Sequence, residues 1–241
     1  MNLVADVGNT RVKIALFEGD VLKYHYFFSL EETDAISAFI KVQTPNRAIV
    51  SSVVNNGGEI INGLKSAGFS VVEYTSKTMI PVKNLYKTPD TLGNDRIPPV
   101  IAAQKQQPGS AILVIDAGTC IKYNFLNKQA EYLGGAISPG LNMRFKALHT
   151  FTSRLPLIEP DAAFNRLIGT DSRESILAGV QTAAAAEVNA MIDQYVQQFP
   201  GVNVFLTGGD MAFFEKRIKN PIFADPNLVL KGLNIILNYN A

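Results

Sequence analysis

The sequence predicts an α/β protein built from two related halves, and three observations lead to that prediction. One short phrase occurs twice, as LVADVGNTRVK at residues 3–13 and as LVIDAGTCIK at residues 113–122. Each copy opens the same predicted order of a strand, a turn, two further strands and then helices. A turn-forming stretch at 106–109, which contains Pro108 and Gly109, divides the chain near its middle. The two copies begin at residues 3 and 113, and this spacing is too long for the repeat of a solenoid. We therefore expect two halves that face a shared cleft.

The bulk composition is that of an ordinary globular protein. The chain has 241 residues, of which 47% are hydrophobic, enough for one large domain or two of about 120 residues. With 22 basic and 21 acidic residues the net charge is +1, which gives no electrostatic reason to expect nucleic acid or an acidic membrane as a partner. The single cysteine, Cys120, excludes an intrachain disulfide, and no apolar run reaches the roughly 18 residues that span a bilayer. We therefore expect a soluble, cytoplasmic protein without a signal peptide.

The first half is predicted to be a three-stranded antiparallel meander followed by alternating helices and strands. Apolar or alternating runs predict its strands, at 2–6, 11–17, 21–28, 47–54 and 69–75. Helices are predicted to start after a capping-box-like Ser29 and Glu32, at a turn over Asn55–Gly58, and at the prolines that follow Ile97. Residues 76–96 are predicted to be irregular, because prolines and a glycine interrupt them.

The second half repeats this order and adds longer helices. Its strands are predicted within 111–119, 120–127, 130–140 and 201–210. Its helices are predicted at about 140–149, 172–199, 211–218 and 227–239.

The repeated phrase has the chemistry of a turn that holds phosphate. The equivalent residues are Asp6 and Asp116, Gly8 and Gly118, Thr10 and Thr119, and Lys13 and Lys122. Glycine lets the backbone approach a phosphate with its N–H groups, a small hydroxyl adds a donor, and aspartate at a strand end suits a cation. One such turn is an ordinary β-turn signal, but two at equivalent places favour nucleotide phosphate binding. Lys13 could reach phosphate, whereas Lys122 is expected to be a solvated strand lysine.

Asp95 and Arg96 precede a predicted helix and have the chemistry that phosphoryl transfer to an alcohol needs. Asp95 can accept the hydroxyl proton, and Arg96 can bind a carboxylate or phosphate with two hydrogen bonds. An N-cap aspartate beside a surface arginine explains the pair at least as well.

Two glycine-rich turns also have a functional and a structural interpretation. LTGGD at 206–210 could lie against a flat ligand such as adenine. GGAISPG at 134–140 could close over a substrate. Either segment could instead simply join a strand to a helix.

Together these motifs resemble those of type III pantothenate kinase, a bacterial family of the acetate-and-sugar-kinase/Hsp70/actin superfamily. The family's D-x-G-N-T-x-x-K corresponds to residues 6–13, its G-x-D-R to 93–96, its D-x-G-T to 116–119 and its G-G-x-I-x-P-G to 134–140. The resemblance covers nearly the whole chain. It implies two ribonuclease-H-like (actin-like ATPase) domains, each a mixed sheet flanked by helices, with a cleft between them.

The resemblance also implies an activity, the ATP-dependent phosphorylation of pantothenate to 4′-phosphopantothenate, which opens coenzyme A synthesis. Asp95 would be the general base, Asp116 would bind a monovalent cation (K⁺ or NH₄⁺), and Mg²⁺ would accompany the nucleotide. A domain of residues 1–109 would carry the first phosphate loop and the substrate segment, and one of residues 110–241 the second loop and an adenosine motif. The implied ATP contacts are Asp6, Val7, Gly8, Asn9, Thr10, Arg11, Val12, Lys13 and Thr119. The implied pantothenate contacts are Tyr86, Gly93, Asn94, Asp95, Arg96 and Ser172. The family is dimeric, so a homodimer is expected.

The sequence departs from the family pattern at two places. Cys120 follows D-x-G-T where the family has alanine, and Asp171-Ser172 stands where the family has Asn-Thr. Ser172 keeps the hydroxyl, and a shift in the alignment would offer Thr170 instead. A nucleotide-binding regulatory or accessory protein, an actin-like assembling protein and a kinase for another small alcohol stay open as alternatives. The carboxylate and arginine of the G-x-D-R segment favour the enzyme, and the balanced charge argues against DNA binding.

Overall fold

The computed structural model describes residues 1–43, 47–54 and 57–241, which form two compact units. The first unit consists of Met1–Pro108, Ala130–Leu133 and Asn227–Ala241, and the second of Gly109–Gln129 and Gly134–Pro226. The chain passes from the first unit to the second at Pro108, within the turn-forming stretch. The C-terminal segment, which the sequence division places in the second domain, groups with the first unit.

Regular secondary structure follows the predicted order in both halves of the sequence. The strands are β1 (Asn2–Val7), β2 (Arg11–Glu18), β3 (Val21–Ser29), β4 (Arg47–Ser52), β5 (Ser70–Glu73), β6 (Lys83–Asn84), β7 (Ile112–Ala117), β8 (Cys120–Leu126), β9 (Glu131–Pro139), β10 (Asn203–Thr207) and β11 (Phe223–Ala224). The helices are α1 (Thr33–Lys41), α2 (Gly57–Ser66), α3 (Ile97–Gln106), α4 (Leu141–Thr150), α5 (Ser172–Leu177), α6 (Ala183–Gln198), α7 (Met211–Glu215) and α8 (Leu228–Tyr239). A 3₁₀ turn covers Pro89–Thr91, and a π-helical turn at Ala178–Thr182 joins α5 to α6.

The first unit has a mixed sheet in the order β3-β2-β1-β4-β5. Strands β1 to β3 form the predicted antiparallel meander, and β1, β4 and β5 run parallel. β1 is buried along its whole length, as its mainly apolar sequence predicts. Helix α8 packs against α3 at Gly232, where a Cβ would lie 1.8 Å from Pro98 O, so the lack of a side chain allows this approach.

The second unit repeats this arrangement, with its strands in the order β9-β8-β7-β10-β11. β7 pairs antiparallel with β8 and parallel with β10, and β10 is parallel with β11. The two sheets therefore have the same strand order and directions where pairing is described, which confirms the predicted repeat. The core on this sheet includes Tyr123, Phe145 and Phe214, all almost fully buried. The short β6 pairs with Glu131 and Tyr132, within the first unit.

The structure differs from the sequence prediction mainly at short or interrupted elements. β6 and β11 have two residues each, too few for any apolar periodicity to reveal them. The predicted helix at 172–199 contains the π-helical turn, and β9 continues through the glycines to Pro139. Asn55 and Asn56 of the predicted turn lie outside the described residues. Within the described ranges, no helix is both long and apolar enough to cross a membrane.

Candidate functional site

The two repeated aspartates occupy equivalent positions in the two sheets. Asp6 faces Lys13 across the β1–β2 pair, and Asp116 faces Lys122 across the β7–β8 pair. Both aspartates are buried, at 6% and 9% exposure. A buried carboxylate needs polar or cationic partners. In each hairpin the residue opposite the aspartate is a lysine, on the strand that follows the turn.

Backbone hydrogen bonds close both turns. Gly8 N donates to Arg11 O at 3.1 Å, and Gly118 N donates to Cys120 O at 3.0 Å. The first turn is one residue longer, in agreement with the gap between the two copies. Its tip is exposed, and Thr119 at the tip of the second turn is exposed as well. Exposed N–H groups and hydroxyls at strand ends are donors suited to phosphate oxygens.

Lys122 forms an ion pair with Asp116, and this corrects the expectation that it is solvated. Lys122 Nζ lies 2.7 Å from Asp116 Oδ2, and the two side chains are only 16% and 12% exposed. The strand register explains the pair, because it places the residues directly opposite each other. Asp116 Oδ1 is the other oxygen of this carboxylate, and a hard anionic oxygen is suited to a cation.

Two glycines pack directly on the second turn. A Cβ at Gly208 would lie 2.2 Å from Ala117 O, and one at Gly140 would lie 2.0 Å from Gly118 O. Gly208 also has a φ of +102°, a conformation that favours glycine. The predicted glycine-rich turns LTGGD and GGAISPG therefore both contact the phosphate-type turn of their own unit. Adjacent Asp210 is half-buried, and this burial raises the pKa of its carboxyl above the ordinary value.

The segment Gly93–Arg96 is anchored to the first sheet by the side chain of Asn94. Asn94 Nδ2 donates to Ser52 O at 3.1 Å and to Tyr74 O at 3.2 Å, at the ends of β4 and β5. These bonds use both amide hydrogens of Asn94. The predicted pantothenate contact of Asn94 would therefore have to come from its backbone or its Oδ1.

Arg96 and Tyr86 lie close together beside this segment. Arg96 is 4% exposed, and its Cζ lies 5.7 Å from the centre of the Tyr86 ring. Helix α3 begins at Ile97, with Arg96 at the position before it and no capping hydrogen bond from the Arg96 side chain. Asp95 is half-buried.

A polar cavity of about 180 Å³ adjoins Asn94 in the first unit. Its lining includes Ser52, Tyr74, Thr75 and Gly57. Burial raises the pKa of the Tyr74 phenol, so Tyr74 presents a neutral hydroxyl group. The cavity holds hydrogen-bonding groups of the kind that orient a small polar molecule.

The late motif forms the start of α5. Asp171 is the N-cap, and its side chain accepts a hydrogen bond from Glu174 N at 2.8 Å. Thr170 Oγ1 donates to Glu174 Oε2 at 2.8 Å, so its hydroxyl is engaged within the motif. Ser172 is exposed at the first helical position. Of the two alternatives, Ser172 has the more available hydroxyl.

Sequence reasoning missed two polar features near these turns. Ser51, opposite Asp6 across the β1–β4 pair, is fully buried, and its hydroxyl has no hydrogen-bond partner among the described residues. A cluster of Ser138, Arg144 and Glu187 lies beside Gly140. Strand pairing and helix packing create both features, and neither leaves a local motif. Among the described residues, no three acidic, histidine or cysteine side chains form a metal cluster.

The fold, with its two related sheets and paired aspartate turns, is the one found in sugar kinases of known structure. An inorganic polyphosphate/ATP-glucomannokinase from Arthrobacter sp. strain KM has this fold, with a TM-score of 0.51 at 11% identity, covering 99% of this chain and 98% of that chain. A conserved Baf family protein from Campylobacter jejuni has a TM-score of 0.62 at 17% identity, covering 99% of this chain and 98% of that chain. Identities this low establish the fold alone.

Sequence comparison identifies the family. The family model of type III pantothenate kinase matches residues 2–194. A type III pantothenate kinase of Bacteroides fragilis (strain YCH46) is 44% identical over 240 residues, which cover 100% of this chain and 98% of the relative. One from Christiangramia forsetii is 41% identical over 247 residues, with 100% and 99% covered. The chain belongs to the type III pantothenate kinase family, as its motifs predict.

Proposed function

We propose that this protein transfers the γ-phosphoryl group of ATP to the primary hydroxyl of pantothenate, giving 4′-phosphopantothenate for coenzyme A synthesis. The observation that carries the proposal is the full-length similarity to relatives named type III pantothenate kinase. The paired turns and the anchored Gly93–Arg96 segment support it, because a phosphotransferase needs phosphate donors and a placed carboxylate.

The nucleotide is assigned to the two turns. Residues 6–13 and Thr119 bind ATP in this proposal, and the exposed residues at the tips of the two turns offer backbone N–H groups and small hydroxyls. Mg²⁺ accompanies the nucleotide and offsets the charge of its phosphates. The buried Asp6 carboxylate fits a role near that cation, because Mg²⁺ in such sites is held by one or two carboxylates and keeps several waters.

The acceptor is assigned to the Gly93–Arg96 segment with Tyr86 and Ser172. Asp95 takes the proton from the pantothenate hydroxyl as its oxygen bonds to the γ-phosphorus, and the bond from phosphorus to the ADP oxygen breaks. Arg96 is a fixed positive charge beside Tyr86, which suits an anionic group of substrate or transition state. Asn94 holds the segment to the ends of β4 and β5.

Three further features belong to the proposal. A monovalent cation, K⁺ or NH₄⁺, would be held by the Asp116 carboxylate, which also pairs with Lys122 Nζ through Oδ2 at 2.7 Å. The protein is a homodimer. It acts in the cytoplasm on ATP and pantothenate, without a nucleic-acid or membrane partner. The balanced charge of the chain supports the last point.

The test compares the wild-type chain with Asp95→Asn in a coupled ADP-release assay with ATP, Mg²⁺ and pantothenate. Wild-type release should depend on pantothenate and rise when K⁺ replaces Na⁺. Asp95→Asn should lose about 100-fold or more in kcat while still binding ATP, because general-base catalysis contributes about 10²–10⁴-fold. Normal turnover in the variant would rule out Asp95 as the base. ATP binding without pantothenate-dependent release in the wild type would favour a nucleotide-binding regulator or a kinase for another alcohol.

A further inference from the structure

A polar cluster in the second unit engages both oxygens of one carboxylate. Ser138 Oγ donates to Glu187 Oε1 at 2.6 Å, and Arg144 Nη2 donates to Glu187 Oε2 at 2.7 Å. Arg144 Nη2 also donates to Ser138 Oγ at 3.1 Å. The Arg144 and Glu187 side chains are 21% and 34% exposed, so water screens their charges only in part. Hydrogen bonds between charged partners in such surroundings are among the stronger ones in proteins.

The cluster spans Gly140. Ser138 precedes this glycine near the end of β9, and Arg144 follows it in the first turn of α4. Arg144 Nε also donates to Pro139 O at 2.8 Å, next to the glycine. Glu187, on α6, therefore ties the strand end and the helix start on either side of Gly140 to a third element.

Gly140 in turn contacts the second turn. Its N–H donates to Thr119 O at 3.1 Å, and a Cβ at this position would lie 2.0 Å from Gly118 O. Backbones packed this closely leave no slack, so a shift of Gly140 has to move the turn as well. The position of the turn thus depends on what holds Gly140.

We propose that Glu187 is a positioning residue for nucleotide binding. Through Ser138 and Arg144 it holds Gly140 against Gly118 and Thr119, and so fixes the turn that contacts ATP. This inference rests on the proposed role of that turn in binding ATP. Glu187 itself acts without touching the nucleotide.

The test is the affinity of the full-length chain for a non-hydrolysable ATP analogue with Mg²⁺, measured by calorimetry. Glu187→Gln keeps the side-chain size and removes the charge. Its Kd for the analogue and its KM for ATP should rise on the order of tenfold, with a much smaller change in the KM for pantothenate. Ser138→Ala removes one of the two bonds to Glu187 and should raise the Kd by a smaller factor.

Asp193→Asn is the matched control. Asp193 is an exposed acid on the same helix, and its carboxylate accepts a hydrogen bond from Asn220 Nδ2 at 2.8 Å. The Kd of this variant should equal that of the wild type. A Kd within twofold of the wild type for both folded Glu187→Gln and Ser138→Ala would overturn the inference, as would an equal rise in Asp193→Asn. If Glu187→Gln does not fold, Ser138→Ala decides alone.

The binding measurement separates this inference from the proposed activity. A wild-type chain that binds the analogue but releases no ADP with pantothenate contradicts the activity, while the Kd values still decide the role of Glu187. A wild-type chain that does not bind the analogue contradicts both.

Discussion

The turn between β1 and β2 and the turn between β7 and β8 have the same phrase of sequence and the same strand register, yet different neighbours pack on them. Gly208 and Gly140 pack on the second turn so closely that a Cβ at these positions would lie 2.2 Å from Ala117 O and 2.0 Å from Gly118 O. Gly8 of the first turn would bring a Cβ no closer than 3.3 Å, to Arg11 O. The second turn is thus packed against glycines that are distant in sequence, whereas the nearest atom to a Cβ at Gly8 belongs to Arg11 of its own hairpin.

This difference separates two levels of structure. The repeated phrase determines the hairpin, because the turn it contains fixes the register of the two strands on either side. The packing around the second turn depends instead on the glycines that follow β9 and β10 and on a side chain of α6. Similar sequence therefore gives the same register but different packing, and we expect the second turn to be the more sensitive to substitution.

The largest expected effect is at Gly208. Gly208→Ala should lower the free energy of unfolding by about 3 kcal/mol, because the new methyl meets Ala117 O and the φ of +102° disfavours alanine. Gly8→Ala, in the first turn, should cost below about 1 kcal/mol, because its Cβ would lie 3.3 Å from the nearest atom. Urea unfolding of both variants measures the difference, and equal losses would remove the distinction between the turns.

An intermediate effect is expected at the Asp116–Lys122 ion pair. Lys122→Gln should destabilise the protein by about 2 kcal/mol, because it leaves a mostly buried carboxylate without its ammonium partner. Lys105→Gln is the control, since it breaks an exposed pair with Asp20 at 2.6 Å and should cost about 0.5 kcal/mol. Thermal unfolding compares the stability of the two variants. If Lys122→Gln loses no more stability than the control, the buried ion pair does not stabilise the second turn.

The smallest effect is expected at Asp210, beside the second turn. Burial raises the pKa of its carboxyl in the folded state, so the folded protein binds this proton more tightly than the unfolded chain. The ionised form therefore costs stability as the pH rises above the ordinary value of 3.8. Asp210→Asn should raise Tm slightly near neutral pH, and this gain should shrink as the pH falls towards 3.8. A gain that is independent of pH would point to another cause.

The sequence predicts the fold well because its signals are local and repeated. The meander, the buried β7 and the Pro-initiated α3 each follow from apolar periodicity or turn chemistry, and the repeat predicts the second unit from the first. The two-residue β6 and β11 carry no such signal. In the site, the register of β7 and β8 brings Lys122 into an ion pair with Asp116, whereas the sequence pattern predicts a solvated lysine.

The polar anchors of the site are less predictable than its motifs. Asn94 donates to the carbonyls of Ser52, in β4, and of Tyr74, just after β5, and Glu187 bonds from α6, so both depend on how separate elements pack. A glycine motif indicates that the backbone comes close to something, but it does not identify the neighbour. Gly140 and Gly208 prove to face the same turn.

Mass-spectrometric detection of the phosphorylated product, after incubation with ATP, Mg²⁺ and K⁺, decides whether pantothenate is the acceptor. Pantothenate, a hexose and no acceptor are compared, with Asp95→Asn as the matched inactive variant. We expect a phosphorylated product from pantothenate alone, formed by the wild type and strongly reduced in the variant. Phosphorylated hexose, or no product from pantothenate by a chain that binds ATP, would contradict this expectation.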